Sequence, residues 1–142
     1  MSITASAKPS APGALRHEID VNGRHAIVTD EPVTIGGTDA APAPHELLPA
    51  MVASCVSTMV ALYARRHGWD VEGMRVDVDY DSEATPRRIA IRLHLPAGLT
   101  GEQQARLRRV AETCPVRRAF EAGFEFEEDL VLDAGPAAAA LF

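Results

Sequence analysis

The chain has 142 residues, 46% of them apolar, a length and composition that suit one ordinary domain with a real core. Its formal net charge of -6 leaves no basic stripe for neutralising phosphates, so a nucleic-acid partner is not expected. The first fifteen residues lack a basic stretch followed by a long apolar run, so they do not resemble a secretory signal. A cytoplasmic location is expected.

Residues 1–14 read as a flexible N-terminal tail, and residues 15–133 as a single domain. Within that domain residues 15–21 and 24–29 are expected to form a hairpin, because Asn22-Gly23 supplies the positive backbone angles of a two-residue turn. Gly36-Gly37, Pro42 and Pro44 then break any regular structure, so a loop carries the chain to a helix ending near His67. Arg65, Arg66 and His67 suit the negative end of that helix, and Gly68 suits its left-handed cap. Its start is open: Pro44 fits a first turn, yet Pro49 would then lie inside the helix, so the regular part begins near Leu48 or carries a kink.

Residues 47–64 carry no charge, a run close to the lower limit for crossing a bilayer. Pro49, Ser54, Ser57 and Thr58, with no aromatic belts, favour a helix buried in protein instead. Leu48, Met51, Val52, Cys55, Met59 and Leu62 form one apolar stripe, while Ala50, Ala53, Ser54, Ser57, Ala61 and Ala64 make the other side small. A helix of that kind is covered on all sides, and in so short a chain part of the cover is expected to come from a second copy.

Met74, Val76, Val78 and Tyr80 alternate with polar residues, as do Ile89, Ile91, Leu93 and Leu95, which predicts two antiparallel strands with one apolar face. Thr100 and Gln103 form a capping box opening a helix whose apolar side carries Leu107, Val110, Ala111 and Cys114. Pro115 ends that helix and opens a short one reaching Gly123. Residues 124–132 resemble a last strand, and residues 134–142 a C-terminal tail.

Two cysteines in a reducing compartment are not expected to form a permanent staple, so each is either core filler or chemistry. Cys55, in mid-stripe, reads as core on its own. Cys114 precedes a helix-opening proline, where backbone N–H groups and the positive helix end can stabilise a thiolate; filler and activated thiol are equally compatible with the pattern. The five histidines are dispersed and match no metal-ligand spacing, Gly36-Gly37 lacks the rest of a phosphate loop, and the acids at 125 and 127–129 read as the wet side of an edge strand. No metal is expected.

The run GGTDAAPAPHELLPAMVASC, followed far downstream by Cys-Pro-Val, resembles the osmotically inducible protein C and organic hydroperoxide resistance (OsmC/Ohr) superfamily. The resemblance spans roughly residues 15–132. It implies an α+β fold, an intertwined homodimer with antiparallel sheets around long central buried helices, and two active sites built from both chains. It further implies a thiol peroxidase: Cys55 attacks the peroxide and becomes a sulfenic acid, Cys114 resolves it as a disulfide, and an external dithiol such as a dihydrolipoyl protein reduces the pair, with no bound cofactor. Members of the superfamily activate the thiolate with an arginine held by a glutamate. Glu46 matches the glutamate of the P-x-E-L-L motif, His45 occupies the acid's place when counted back from Cys55, and Arg16 and Arg24 are both candidates for the cation. Met51, Val52 and Met59 would give an apolar approach to the sulfur, favouring organic or lipid hydroperoxides. The other reading is a dimeric stress or binding protein that keeps the pocket with little or no turnover.

Overall fold

The computed structural model describes residues 1–133; the expected C-terminal tail at 134–142 lies outside them. Its elements run β1 (Ala5–Pro9), β2 (His17–Val21), β3 (His25–Thr29), α1 (Leu47–His67), β4 (Arg75–Asp81), β5 (Arg88–His94), α2 (Gly101–Ala111) and α3 (Pro115–Ala122). They form an α+β fold with two antiparallel sheets, in the orders β1-β2-β3 and β4-β5.

The hairpin forms as its turn residues dictate. Asn22 and Gly23 both take positive φ, 56° and 66°, and the strands pair from Val21 with His25 to His17 with Thr29. The expected loose N-terminus is corrected, because residues 5–9 pair antiparallel with the other edge of β2 and the Asn22 side-chain oxygen accepts the Thr4 N–H at 2.9 Å. Open backbone groups on β2 drive this pairing; the apolar positions of β1 are only Ala5, Ala7 and Pro9, and all five of its residues are exposed.

Between β3 and α1 the chain makes a closed loop. The Asp30 N–H donates to the Pro42 carbonyl at 3.1 Å, which joins its ends. Inside it the buried Asp30 carboxylate accepts from the Glu31, Thr38 and Ala40 N–H groups and from the Thr38 hydroxyl. These donors hold its carboxyl well below the usual range, at about 2, with the Thr38 hydroxyl the largest cause and the Glu31 N–H next. Gly37 has no room for a side chain, since an added Cβ would strike the Glu31 carbonyl.

A short 3-10 turn at Pro44–Glu46 leads into α1, and the Glu46 carboxylate accepts the Ala43 N–H at 2.8 Å. The helix becomes regular at Leu47, so Pro49 falls in its first turn, where its missing N–H costs nothing and no kink is needed. At the far end Gly68 adopts φ 67°, and the Trp69 N–H closes on the Ala64 carbonyl at 2.9 Å.

α1 lies across β4 and beside α2 and α3. Its fully buried residues are Val52, Val56, Val60 and Ala64, which meet Leu107 and Ala111 of α2 and Cys114. That rotates the expected stripe: Met51 is 45% exposed, Cys55 lies at the margin, and Ala64, grouped above with the small side, is buried. Because α1 is apolar or small all round, its own pattern leaves the rotation open, and packing on β4 and α2 decides it. Ala50, Ser54 and Thr58 stay exposed on the other side. By length and composition alone α1, with its entry turn, could cross a membrane.

β4 and β5 pair over their full length, from Arg75 with His94 to Asp81 with Arg88, so the two sets of alternating apolar residues share one face. The capping box at Thr100 and Gln103 is present in both directions, at 3.1 and 2.9 Å. The expected strand at 124–132 is also corrected: the segment has no regular secondary structure, pairs with nothing among the described residues, and is exposed throughout.

Candidate active site

Cys55 sits in the middle of α1, and Cys114 sits in the break between α2 and α3. Pro115 makes that break. It forces Cys114 out of helical geometry, to φ -52° and ψ 121°, and opens α3 directly behind it. Cys114 thereby becomes the N-cap of α3, and its sulfur accepts the Arg117 N–H at 3.4 Å. It is fully buried, while Cys55 is half-buried; both are free thiols.

The two cysteines are neighbours. Cys55 packs against the buried cluster that contains Cys114, close enough for the Cys114 thiol to act on its ionisation, and the Val116 N–H, in the first turn of α3, favours its thiolate. The start of α3 therefore reaches both cysteines. Burial pushes the Cys55 thiol up from its ordinary value, the hydrogen bond with Cys114 pushes it further, and the Val116 N–H partly offsets both. Among the described residues no cation enters that balance.

The other expected site residues are placed as follows. Glu46 is exposed and bound to the Ala43 N–H, and His45 is exposed in the same turn. Arg16 and Arg24 are exposed on the β1–β3 arm, and among the described residues neither is in an ion pair. Met51 and Met59 lie one turn either side of Cys55, with Met59 packed on the core and Met51 open to solvent, while Val52 is buried. The α1 residues and Cys114 thus come together, and the arm residues do not join them within one chain. The Arg117 N–H at Cys114 is the kind of backbone donor expected of the Cys-Pro junction, whereas the Val116 N–H beside Cys55 was not anticipated. Among the described residues no three His, Cys, Asp or Glu side chains converge as a metal site would require.

A groove of about 820 Å³ lies beside the thiols, not over them. It is lined by Ile89, Ile91, Leu93 and Leu95 of β5 with Phe120, and by charges of both signs, Arg87, Arg108 and Arg117 with Glu112 and Glu121, the last ion-paired to Arg117.

Residues 37–129, which include both cysteines and the whole helical body, match the family model described as OsmC-like protein. The chain belongs to the OsmC-like family. No curated protein matches it. Among solved structures it is similar to a Psychrobacter arcticus protein named for osmotic stress induction and detoxification response, at 30% identity and a TM-score of 0.64, over 79% of this chain and 85% of that one. A Legionella pneumophila organic hydroperoxide resistance protein OsmC shares 22% identity with a TM-score of 0.60, covering 83% of this chain and 88% of its own. An OsmC-like protein of unknown function from Vibrio cholerae shares 14% with a TM-score of 0.57, covering 82% and 90%. The last two likenesses speak for the fold alone. The fold is therefore shared with a protein named for organic hydroperoxide resistance and with one of unknown function.

Proposed function

We propose that this OsmC-like protein is a cytoplasmic, dithiol-dependent peroxidase that reduces organic hydroperoxides to alcohols. The observation that carries the reading is the meeting of Cys55 and Cys114, remote in sequence, at the start of α3. In the first step the Cys55 thiolate attacks the distal peroxide oxygen; the O–O bond breaks, the alkoxide leaves with a proton as the alcohol, and Cys55 becomes a sulfenic acid. The Cys114 sulfur then attacks the Cys55 sulfur, and water leaves as the disulfide forms. An external dithiol, of the dihydrolipoyl kind, returns both thiols by exchange and is itself oxidised.

Burial pushes Cys55 toward the thiol form, so turnover near neutral pH needs a cation beside the sulfur. Arg16 or Arg24, on the arm, is the proposed source, with a second copy of the chain supplying it in a homodimer whose central helices meet through Ala50, Ser54 and Thr58. Glu46 or His45, at the entry to α1, would orient that cation. Met51, Val52 and Met59 would shape an apolar approach that favours alkyl or lipid hydroperoxides over hydrogen peroxide. No resident cofactor, nucleic acid or membrane enters this reading.

One observation favours a second reading. The thiol of Cys55 pushed up by burial, with no cation among the described residues offsetting it, suits a binding or stress protein of the same fold with little turnover. Consumption of cumene hydroperoxide by the full chain with dihydrolipoamide separates the two. We expect turnover that disappears in Cys55→Ser and stalls after one equivalent in Cys114→Ser. Retention of the hydroperoxide with both thiols still reduced would establish the binder.

A further inference from the structure

The disulfide of the proposed cycle has two ends, and their surroundings are unequal. Cys114 has no exposed surface and belongs to the buried cluster with Val52, Val56, Leu107 and Ala111. Its backbone is fastened on both sides, the N–H donating to the Ala111 carbonyl at 3.4 Å and the carbonyl accepting the Arg118 N–H at 3.0 Å. Cys55 lies at the margin of that cluster, half-buried and packed against it.

Thiol–disulfide exchange needs the incoming sulfur in line with the bond that breaks, on the far side of the sulfur attacked. For attack on Cys114 that far side is the core, whose close-packed aliphatic side chains a dithiol would have to displace. For attack on Cys55 the line runs from the sealed Cys114 outward through the margin. The hydroperoxide of the proposed reaction must reach Cys55 by an opening of this kind, in one copy or in a pair, and the same opening then serves the reductant. Charge discriminates less than access does. The Arg117 N–H donates to the Cys114 sulfur at 3.4 Å and the Val116 N–H favours a thiolate at Cys55, so either sulfur would leave beside a backbone donor. The Arg117 guanidinium itself is held by Glu121 at 2.9 Å.

We propose that Cys55, not Cys114, is the sulfur that the external dithiol attacks. The first dithiol sulfur, as a thiolate, bonds to the Cys55 Sγ; the Cys55–Cys114 bond breaks, and its electron pair leaves on Cys114, which takes up a proton. The second dithiol sulfur, having lost its proton, attacks the reductant sulfur bound to Cys55, closes the reductant's own disulfide and releases Cys55 as a thiolate. The protein disulfide gains two electrons and the dithiol loses two. Cys55 thus meets both substrates in turn, and Cys114 meets neither. The inference rests on the peroxidase reading above and adds the point at which its reductant becomes covalently bound.

The test uses the full native chain, oxidised with one equivalent of cumene hydroperoxide and mixed with 2-mercaptoethanol, a monothiol that can make the first exchange but cannot close a ring. Samples are quenched in acid at successive short times, alkylated with N-ethylmaleimide and mapped by peptide mass spectrometry. At the earliest times the mercaptoethanol adduct should sit on Cys55, with Cys114 alkylated, in roughly tenfold excess over the reverse pattern. Equal adducts, an excess on Cys114, or a disulfide that the monothiol cannot open would overturn the inference and leave the peroxidase reading in place. A chain that forms no Cys55–Cys114 disulfide with the hydroperoxide would overturn that reading and this inference with it.

Discussion

The β1–β3 arm and the body built from α1, α2, α3, β4 and β5 are held together by different physics. In the body Val52, Val56, Val60 and Leu107 are sealed from solvent, and apolar burial dominates. The arm has almost no such core: β1 is exposed throughout, Ile27 is 41% exposed, and order comes from ladder hydrogen bonds and from one carboxylate gripping the loop at 30–42. A three-stranded sheet with so little apolar cover is marginal by itself. The contrast teaches that the body can carry the thiols alone, whereas the arm is held by backbone pairing with little apolar cover of its own.

The largest effect expected from breaking this contrast is in the body. Leu107→Ala removes its largest fully buried side chain and should cost about 2–5 kcal/mol, read as a lower denaturant midpoint for the whole chain. Gly37→Ala attacks the arm, by driving a methyl into the Glu31 carbonyl, and should cost roughly 1–3 kcal/mol. Its signature should be faster amide exchange at Thr38 and Ala40, with exchange in α1 little changed. Equal acceleration in α1 would show that arm and body unfold as one unit. The smallest effect is a pH dependence. Asp30 has its carboxyl lowered from 3.8 to about 2, so its contribution is fully present above pH 3.8 and fades as pH falls through 2. Asp30→Asn should remove that acid-limb dependence of amide exchange in the loop while leaving the body's unchanged; an identical acid profile in the variant would mean that the carboxylate does not hold the loop.

Much of the body was legible in the residues. Alternation marked β4 and β5, Thr100 and Gln103 marked the start of α2, Gly68 the end of α1, and Pro115 the break that makes Cys114 a cap. These are local rules, each satisfied within a few residues. The arm was less legible, because β1 is called into being by open backbone groups on β2 rather than by its own side chains. Asp30 was missed for a similar reason, since nothing in Thr29-Asp30-Glu31 announces that donors eight and ten residues later will fold back onto one carboxylate.

The sequence by itself determined the order and kind of the main elements and placed each cysteine on its own piece of backbone, because capping, turn geometry and periodicity act over short spans. Only the tertiary structure decided which side of α1 turns inward, that residues 124–132 pair with no strand among the described residues, and that Cys55 and Cys114 lie beside one another at the start of α3. Those outcomes depend on contacts between segments far apart in the chain. An α1 that is apolar or small on every side carries no local instruction about them.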